Sequence, residues 1–239
     1  NTLNIQYSKH FRLTGSGTTN LNYGIYVQGG RNGIVLSELC TNFEIDHCEM
    51  NKVYFAGIMA KTDPLCDKPY TWRKNFTMYN VKIHDNYAHD TYQGEGLYVG
   101  NSFYNTGVKL ANCPNTLYPH SIVNLDLYKN IVKRTGAEGI QVGSALVNAK
   151  IHDNRIDSAG IASIPFQASS QNNGLQLGSG TGGLCYNNII NFCPGNGIAC
   201  TGIGDNVIYN NVIINSGQTD STSGSGIFAD EQSTHDSIL

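Results

Sequence analysis

Leu127-Tyr128-Lys129-Asn130-Ile131-Val132, then Gly139-Ile140-Gln141-Val142, then Ile151-His152-Asp153-Asn154 follow one another along the chain. The middle phrase sets aliphatic residues on either side of a polar one, the two-residue period of a strand. The outer phrases share one order: an aliphatic residue, two variable ones, then Asn. Both motifs recur. The glycine motif returns as Gly24-Ile25-Tyr26-Val27, Gly57-Ile58-Met59-Ala60, Gly96-Leu97-Tyr98-Val99, Gly174-Leu175-Gln176-Leu177, Gly197-Ile198-Ala199-Cys200 and Gly226-Ile227-Phe228-Ala229. From Gly24 onward the steps between these glycines are 33, 39, 43, 35, 23 and 29 residues. The asparagine motif returns as Ile83-His84-Asp85-Asn86, Leu184-Cys185-Tyr186-Asn187-Asn188 and Val207-Ile208-Tyr209-Asn210-Asn211.

Repeats of this length mark a stacked architecture. One coil of three short strands cannot bury its own inward face. Stacked on the next coil, about 4.8 Å away, it pairs its backbone and closes a continuous core. Asn86, Asn130, Asn154, Asn188 and Asn211 would then lie above one another and hydrogen-bond in a ladder. The expectation is an all-β, single-domain, right-handed parallel β-helix over residues 1–239, with about seven coils, the first of them partial. The 23-residue step is a bare coil. Longer steps carry insertions: Lys61 to about Asn75, Gly100 to about His120, and Ile161 to Asn172. The two longest put long loops on one side.

Composition agrees. Charged residues are only 14% and glycines number 27, while hydrophobic residues reach 40%, which excludes a disordered chain. A net charge of −3 gives no reason to expect a nucleic-acid partner. No apolar run is long enough to span a bilayer. The first residues already read as a strand in mid-coil and neither end carries a capping pattern. The expectation is therefore a piece of a longer chain, with flanking domains or further coils as partners.

These repeats resemble the parallel β-helix repeat of carbohydrate-binding proteins and sugar hydrolases, a group that includes polysaccharide lyases, epimerases, polygalacturonases and phage tailspikes. The resemblance covers nearly the whole chain. It implies a polysaccharide partner, a substrate groove floored by the Gly-Ile-x-Val sheet, and walls built by the flanking loops. The outward column would be Tyr26, Met59, Tyr98, Gln141, Gln176, Ala199 and Phe228. Rings stack on sugar faces and amides pair with hydroxyls, so Tyr98, Gln141 and Gln176, with Trp72 from a loop and Tyr92 nearby, are the expected substrate contacts.

Glu95 and Glu138 each precede the motif glycine in successive coils, so stacking places them roughly 5 Å apart. Two carboxyls that close suit a retaining glycosidase, or a calcium site built on hard oxygen ligands. A lyase would need a base for the proton alpha to a uronate carboxylate and a cation for the developing negative charge. His89 or Tyr98 are the candidate bases, and Arg134 or Lys133 the candidate cations. His84-Asp85 and His152-Asp153 read as surface turn residues.

Of the seven cysteines, Cys66 and Cys113 fall in equivalent loops of successive coils and are expected to form a disulfide. The others read as small buried apolar residues. A disulfide and a glycan partner together point to an extracellular or cell-surface setting. The expected function is binding and cleavage of an acidic glycan, by lyase or hydrolase chemistry. The alternative is a non-catalytic adhesin, stalk or tailspike-like module.

Overall fold

A computed structural model describes residues 2–17, 20–163, 171–217 and 224–230 of the 239. The chain is a parallel β-helix of three sheets. Sheet A stacks Leu3–Gln6, Ile34–Ser37, Ile58–Ala60, Leu97–Val99, Ile140–Val142, Leu175–Leu177, Ile198–Cys200 and Ile227–Ala229. Sheet B stacks Lys9–Thr14, Thr41–Asp46, Thr77–His84, Ser121–Tyr128, Ala149–His152, Gly183–Tyr186 and Asn206–Tyr209. Sheet C runs from Ile25–Gln28 through Cys48–Asn51, Tyr87–His89, Ile131–Lys133, Arg155–Asp157 and Ile189–Cys193 to Val212–Ser216. The chain visits A, B and C in turn, and every ladder between these strands is parallel.

The strands are short because each coil turns three corners, and alternation decides which side chain faces in. Ile34, Ile58, Leu97, Ile140, Leu175 and Ile198 stand in register and are fully buried. They form one core with Ile45, Ile83, Leu127 and Ile151 of sheet B and Met50, Val132, Ile156 and Ile190 of sheet C. The motif glycine is required where the chain turns from C into A. A Cβ on Gly96 would collide with the Val132 side chain and with the carbonyl of Gly139 in the next coil.

The asparagine ladder forms as expected at the corner between B and C. Each Nδ2 donates to the Oδ1 of the next rung, at 3.1 Å from Asn86 to Asn130, 3.0 Å to Asn154, 3.0 Å to Asn188 and 2.9 Å to Asn211. The residue before each is left-handed, as at Asp85, Lys129, Asp153, Asn187 and Asn210.

Three expectations need correction. Gly24-Ile25-Tyr26-Val27 is not a rung of sheet A: Ile25–Gln28 pairs with Cys48–Asn51 in sheet C. The matching rung is Gly33-Ile34-Val35-Leu36, so Val35 and not Tyr26 stands beneath Met59. The first coil is consequently complete, with strands in all three sheets. His84 and His152, expected as surface turn residues, instead end strands of sheet B, and His84 is buried; Thr14 and Asp46 hold the same place in the two rungs before His84. His84, Tyr128, His152, Tyr186 and Tyr209 stack as flat rings, with successive centroids 4.5, 5.2, 4.7 and 4.9 Å apart. Rings at rung spacing pack face to face, which a charged or aliphatic side chain there would interrupt.

Candidate functional site

Two insertions leave sheet A at the same corner and pack on each other. Cys66 and Cys113 are joined by the expected disulfide, with their Cα atoms 5.7 Å apart. Arg73 lies over the Tyr104 ring at 3.6 Å and the Tyr118 ring at 5.0 Å. Its guanidinium also donates to the carbonyls of Pro119 and Tyr104. His120 is fully buried where the loops meet: its Nε2 accepts the Thr62 amide at 3.0 Å, and its Nδ1 faces the Ser121 carbonyl at 3.1 Å. Burial lowers its pKa to about 4, so this pin is neutral. Trp72 donates its indole N–H to the Leu65 carbonyl at 2.7 Å and lines a cleft of about 660 Å³ with Lys74, Tyr118 and the disulfide. The wall beside sheet A is therefore braced. Of the third insertion, residues 164–170 lie outside the described residues.

The outward column of sheet A is more sheltered than an open floor would be. Tyr98 is 7% exposed and Gln141 2%, side by side in register, while Met59 and Gln176 are half-buried. The Phe55 ring meets the Tyr98 ring edge-on at 6.1 Å. Lys61, the residue directly after the Ile58–Ala60 strand, sets its ammonium 5.0 Å from the centre of the Tyr98 ring and 2.9 Å from Asp63. Asn101 donates to the same Asp63 carboxylate at 3.1 Å. Burial works against the charge of Lys61, but Tyr98, Asp63 and Glu95 more than offset it and raise its pKa. Burial also raises the Tyr98 phenol, and Lys61 tempers that rise.

Glu95 and Glu138 do stack in consecutive rungs, the Gly96 amide donating to the Glu138 carbonyl at 3.2 Å. Both side chains are buried, at 2% and 0% exposed. Their position in the coil is held elsewhere by Asn32, Asn173 and Asn196, which form ladder bonds of their own. Asn173 donates to Oε1 of Glu138 at 3.3 Å, so the carboxyls continue a polar ladder. Oε2 of each carboxyl has no hydrogen-bond partner among the described residues. Burial raises Glu95 to about 7, with Lys61 pulling the other way. Burial, then the neighbouring Glu95, raises Glu138 to about 8. Near neutrality the pair is largely protonated, because a buried anion without full solvation is costly.

A calcium ion fits this pair poorly. Its hard-cation shell wants six or more oxygens. Lys61 already brings positive charge to Glu95, and no third acidic or histidine ligand closes on the pair among the described residues. The one group of three that does close together there is Glu44, Asp46 and His84. Arg12 already sits between its carboxylates, at 2.9 and 2.7 Å, and Asp46 takes further bonds from Thr14 and His47.

His89 and Arg134 do not join Tyr98 and Gln141. His89 ends the Tyr87–His89 strand of sheet C, and Arg134 follows Ile131–Lys133 in the same sheet. Asp90 holds both, at 2.6 Å from His89 Nδ1 and at 2.5 and 2.7 Å from Arg134, while Glu49 takes the other nitrogen of His89 at 3.1 Å. The bonds from Arg134 hold the Asp90 carboxyl at about 2. This is a closed network in which His89, Asp90 and Arg134 are already partnered. Tyr92 is exposed at the corner between C and A. What the sequence reading missed is Lys61; its place immediately after a sheet A strand was the available signal.

The arrangement sets a cation over a phenol on the outer face of sheet A, beside a braced loop wall, with the buried Glu95 carboxyl behind them near enough to act on Lys61. No protein-family model matches the chain, and neither a curated protein nor a solved structure matches it.

Proposed function

We propose that this chain is an extracellular polysaccharide-active protein that binds and cleaves an acidic glycan on the outer face of sheet A. The observation that carries the proposal is the Lys61 ammonium set over the Tyr98 ring on that face, with the buried Glu95 carboxyl near enough to act on both. Lys61 supplies the charge that pairs with a uronate carboxylate and stabilises the anion formed from it. Glu95, at about 7, can take a proton at neutral pH. Tyr98, raised and protonated, can give one.

These roles balance as a β-elimination. Glu95 removes the proton alpha to the uronate carboxylate, the electron pair forms a carbon–carbon double bond, the glycosidic C–O bond breaks, and Tyr98 protonates the leaving oxygen. Retaining hydrolysis is the weaker fit, because its nucleophile must be an ionised carboxylate and both glutamates are pushed toward neutrality. The disulfide supports the extracellular setting.

Incubation with a panel of uronate polysaccharides is expected to release chains with unsaturated ends, seen by their ultraviolet absorbance. Lys61→Ala should lower kcat/KM at least a hundredfold, and Glu95→Gln should abolish turnover. The rate should rise with pH through about 7, as Glu95 loses its proton. Neither unsaturated nor reducing ends on a broad panel would sink the cleavage reading. The burial of both carboxyls favours a second reading, a non-catalytic glycan-binding adhesin, stalk or tailspike-like module. In that case acidic glycans bind, none is cleaved, and Glu95→Gln leaves the affinity unchanged.

A further inference from the structure

Sheet B carries a feature that the sheet A site does not use. Asn42, Asn80, Asn124 and Asn148 occupy one position in four consecutive rungs, all left-handed, with φ of 54°, 51°, 62° and 54°. A left-handed residue within a strand bends it, and four in register bend the sheet along a line. The bend opens a groove of about 880 Å³ on the outer face. The four asparagines form a second, outer ladder, with Nδ2-to-Oδ1 bonds of 2.7, 2.9 and 3.2 Å, and Asn80, Asn124 and Asn148 line the groove. Each bond uses one of two amide hydrogens, so every rung keeps donor and acceptor capacity for a ligand. Asn80, Asn124 and Asn148 are exposed.

The charges lining the groove cancel, Lys82 and Lys150 against Asp126 and Asp205. Lys82, Asp126 and Lys150 are neighbours in register and alternate in sign from rung to rung. Asp126 also meets His152 Nε2 at 3.0 Å. The rest of the lining includes aliphatic Leu146, Val147, Leu184 and Ile203. A face of repeating amides, self-neutralised charge and aliphatic patches suits hydroxyls and C–H faces; it offers no net attraction for an anion.

We infer that the sheet B groove binds an uncharged, linear polysaccharide lying along the helix axis, one amide per rung. This site is separate from the sheet A face and stands whether or not that face cleaves anything.

The test is titration calorimetry of the whole chain with uncharged β-1,4-linked hexasaccharides of glucose, xylose and mannose, and with a hexauronate. Asn80→Gly/Asn124→Gly removes two amides while keeping a residue that accepts positive φ, so the bend survives. Val147→Arg fills the groove without touching the ladder. At least one uncharged hexasaccharide should bind the native chain. The asparagine double variant should weaken it at least tenfold with little change in thermal midpoint, Val147→Arg should weaken it as much, and Glu95→Gln should not change it. No binding by any uncharged hexasaccharide overturns the inference. So does native affinity in both groove variants, or hexauronate binding as tight as the uncharged ligands and lost in the same variants.

Discussion

Replacing Asn154 with alanine should destabilise the protein by about 4 kcal/mol, near the upper end for one polar side chain. Asn154 is 1% exposed in the middle of the inner ladder. Its Nδ2 donates to the Leu127 carbonyl and to Asn188, and its Oδ1 accepts both the amide and the Nδ2 of Asn130. Alanine deletes four bonds at once and strands buried partners in the rungs above and below. Each stranded group costs about 1–3 kcal/mol, because no water reaches it. Asn124→Gly, in the exposed outer ladder, should cost well under half as much, since water replaces what is lost. Urea unfolding of the two variants compares them directly. Equal losses would mean that the inner ladder is no more than a turn preference.

The glutamate pair should make the protein less stable as pH rises. An unfolded glutamate titrates near 4.5, whereas Glu95 and Glu138 are raised to about 7 and about 8. The folded state therefore holds protons that the unfolded chain releases. The stability this gives is complete below about 4.5 and is lost as pH climbs through about 7 and 8. Glu95 alone accounts for about 3 kcal/mol between those limits. At the acid end the order reverses. Asp46 and Asp90 both lie at about 2, Asp46 because Arg12, Thr14 and His47 overcome its burial, and Asp90 chiefly through Arg134. Their contribution is present above the usual carboxylate range and fades as pH falls toward 2. Maximum stability should therefore fall near pH 4. Glu95→Gln/Glu138→Gln keeps size and hydrogen bonding without a titratable proton, so it should gain several kcal/mol at pH 9 and almost nothing at pH 4. Parallel denaturation curves at the two pH values would show this, and an unchanged difference between them would refute it.

The inner ladder and sheet A from Gly57 onward were legible because they depend on spacing and on residue types that serve one purpose: Gly where a Cβ would strike the next sheet, Asn where amides stack. Tyr26 was misplaced because Ile25-Tyr26-Val27 has the same local pattern as a sheet A strand. Any three-residue strand alternates in, out, in, and only coil length tells one sheet from another. Gly33 lies one bare coil before Gly57, close to the 23-residue minimum already visible between Gly174 and Gly197. The outer asparagines escaped notice because the bend they make is a property of four rungs together. Sequence order brought Glu95 and Glu138 together, but could not say that they face a polar ladder rather than solvent. Their burial depends on packing around the corner between C and A. His89 and Arg134 stand apart from Tyr98 for a related reason: closeness along the chain placed them near Glu95, while a change of sheet between Lys133 and Ile140 turned them away from Tyr98.

The most direct test of the site is an NMR titration of the glutamate side-chain carboxyl carbons, with Glu95→Gln and Glu138→Gln used to assign the signals. Two carboxyls titrating at about 7 and about 8, the higher one falling when Glu95 is replaced, is the result expected of stacked, buried acids. Every glutamate titrating near 4.5, indifferent to loss of its neighbour, would contradict it.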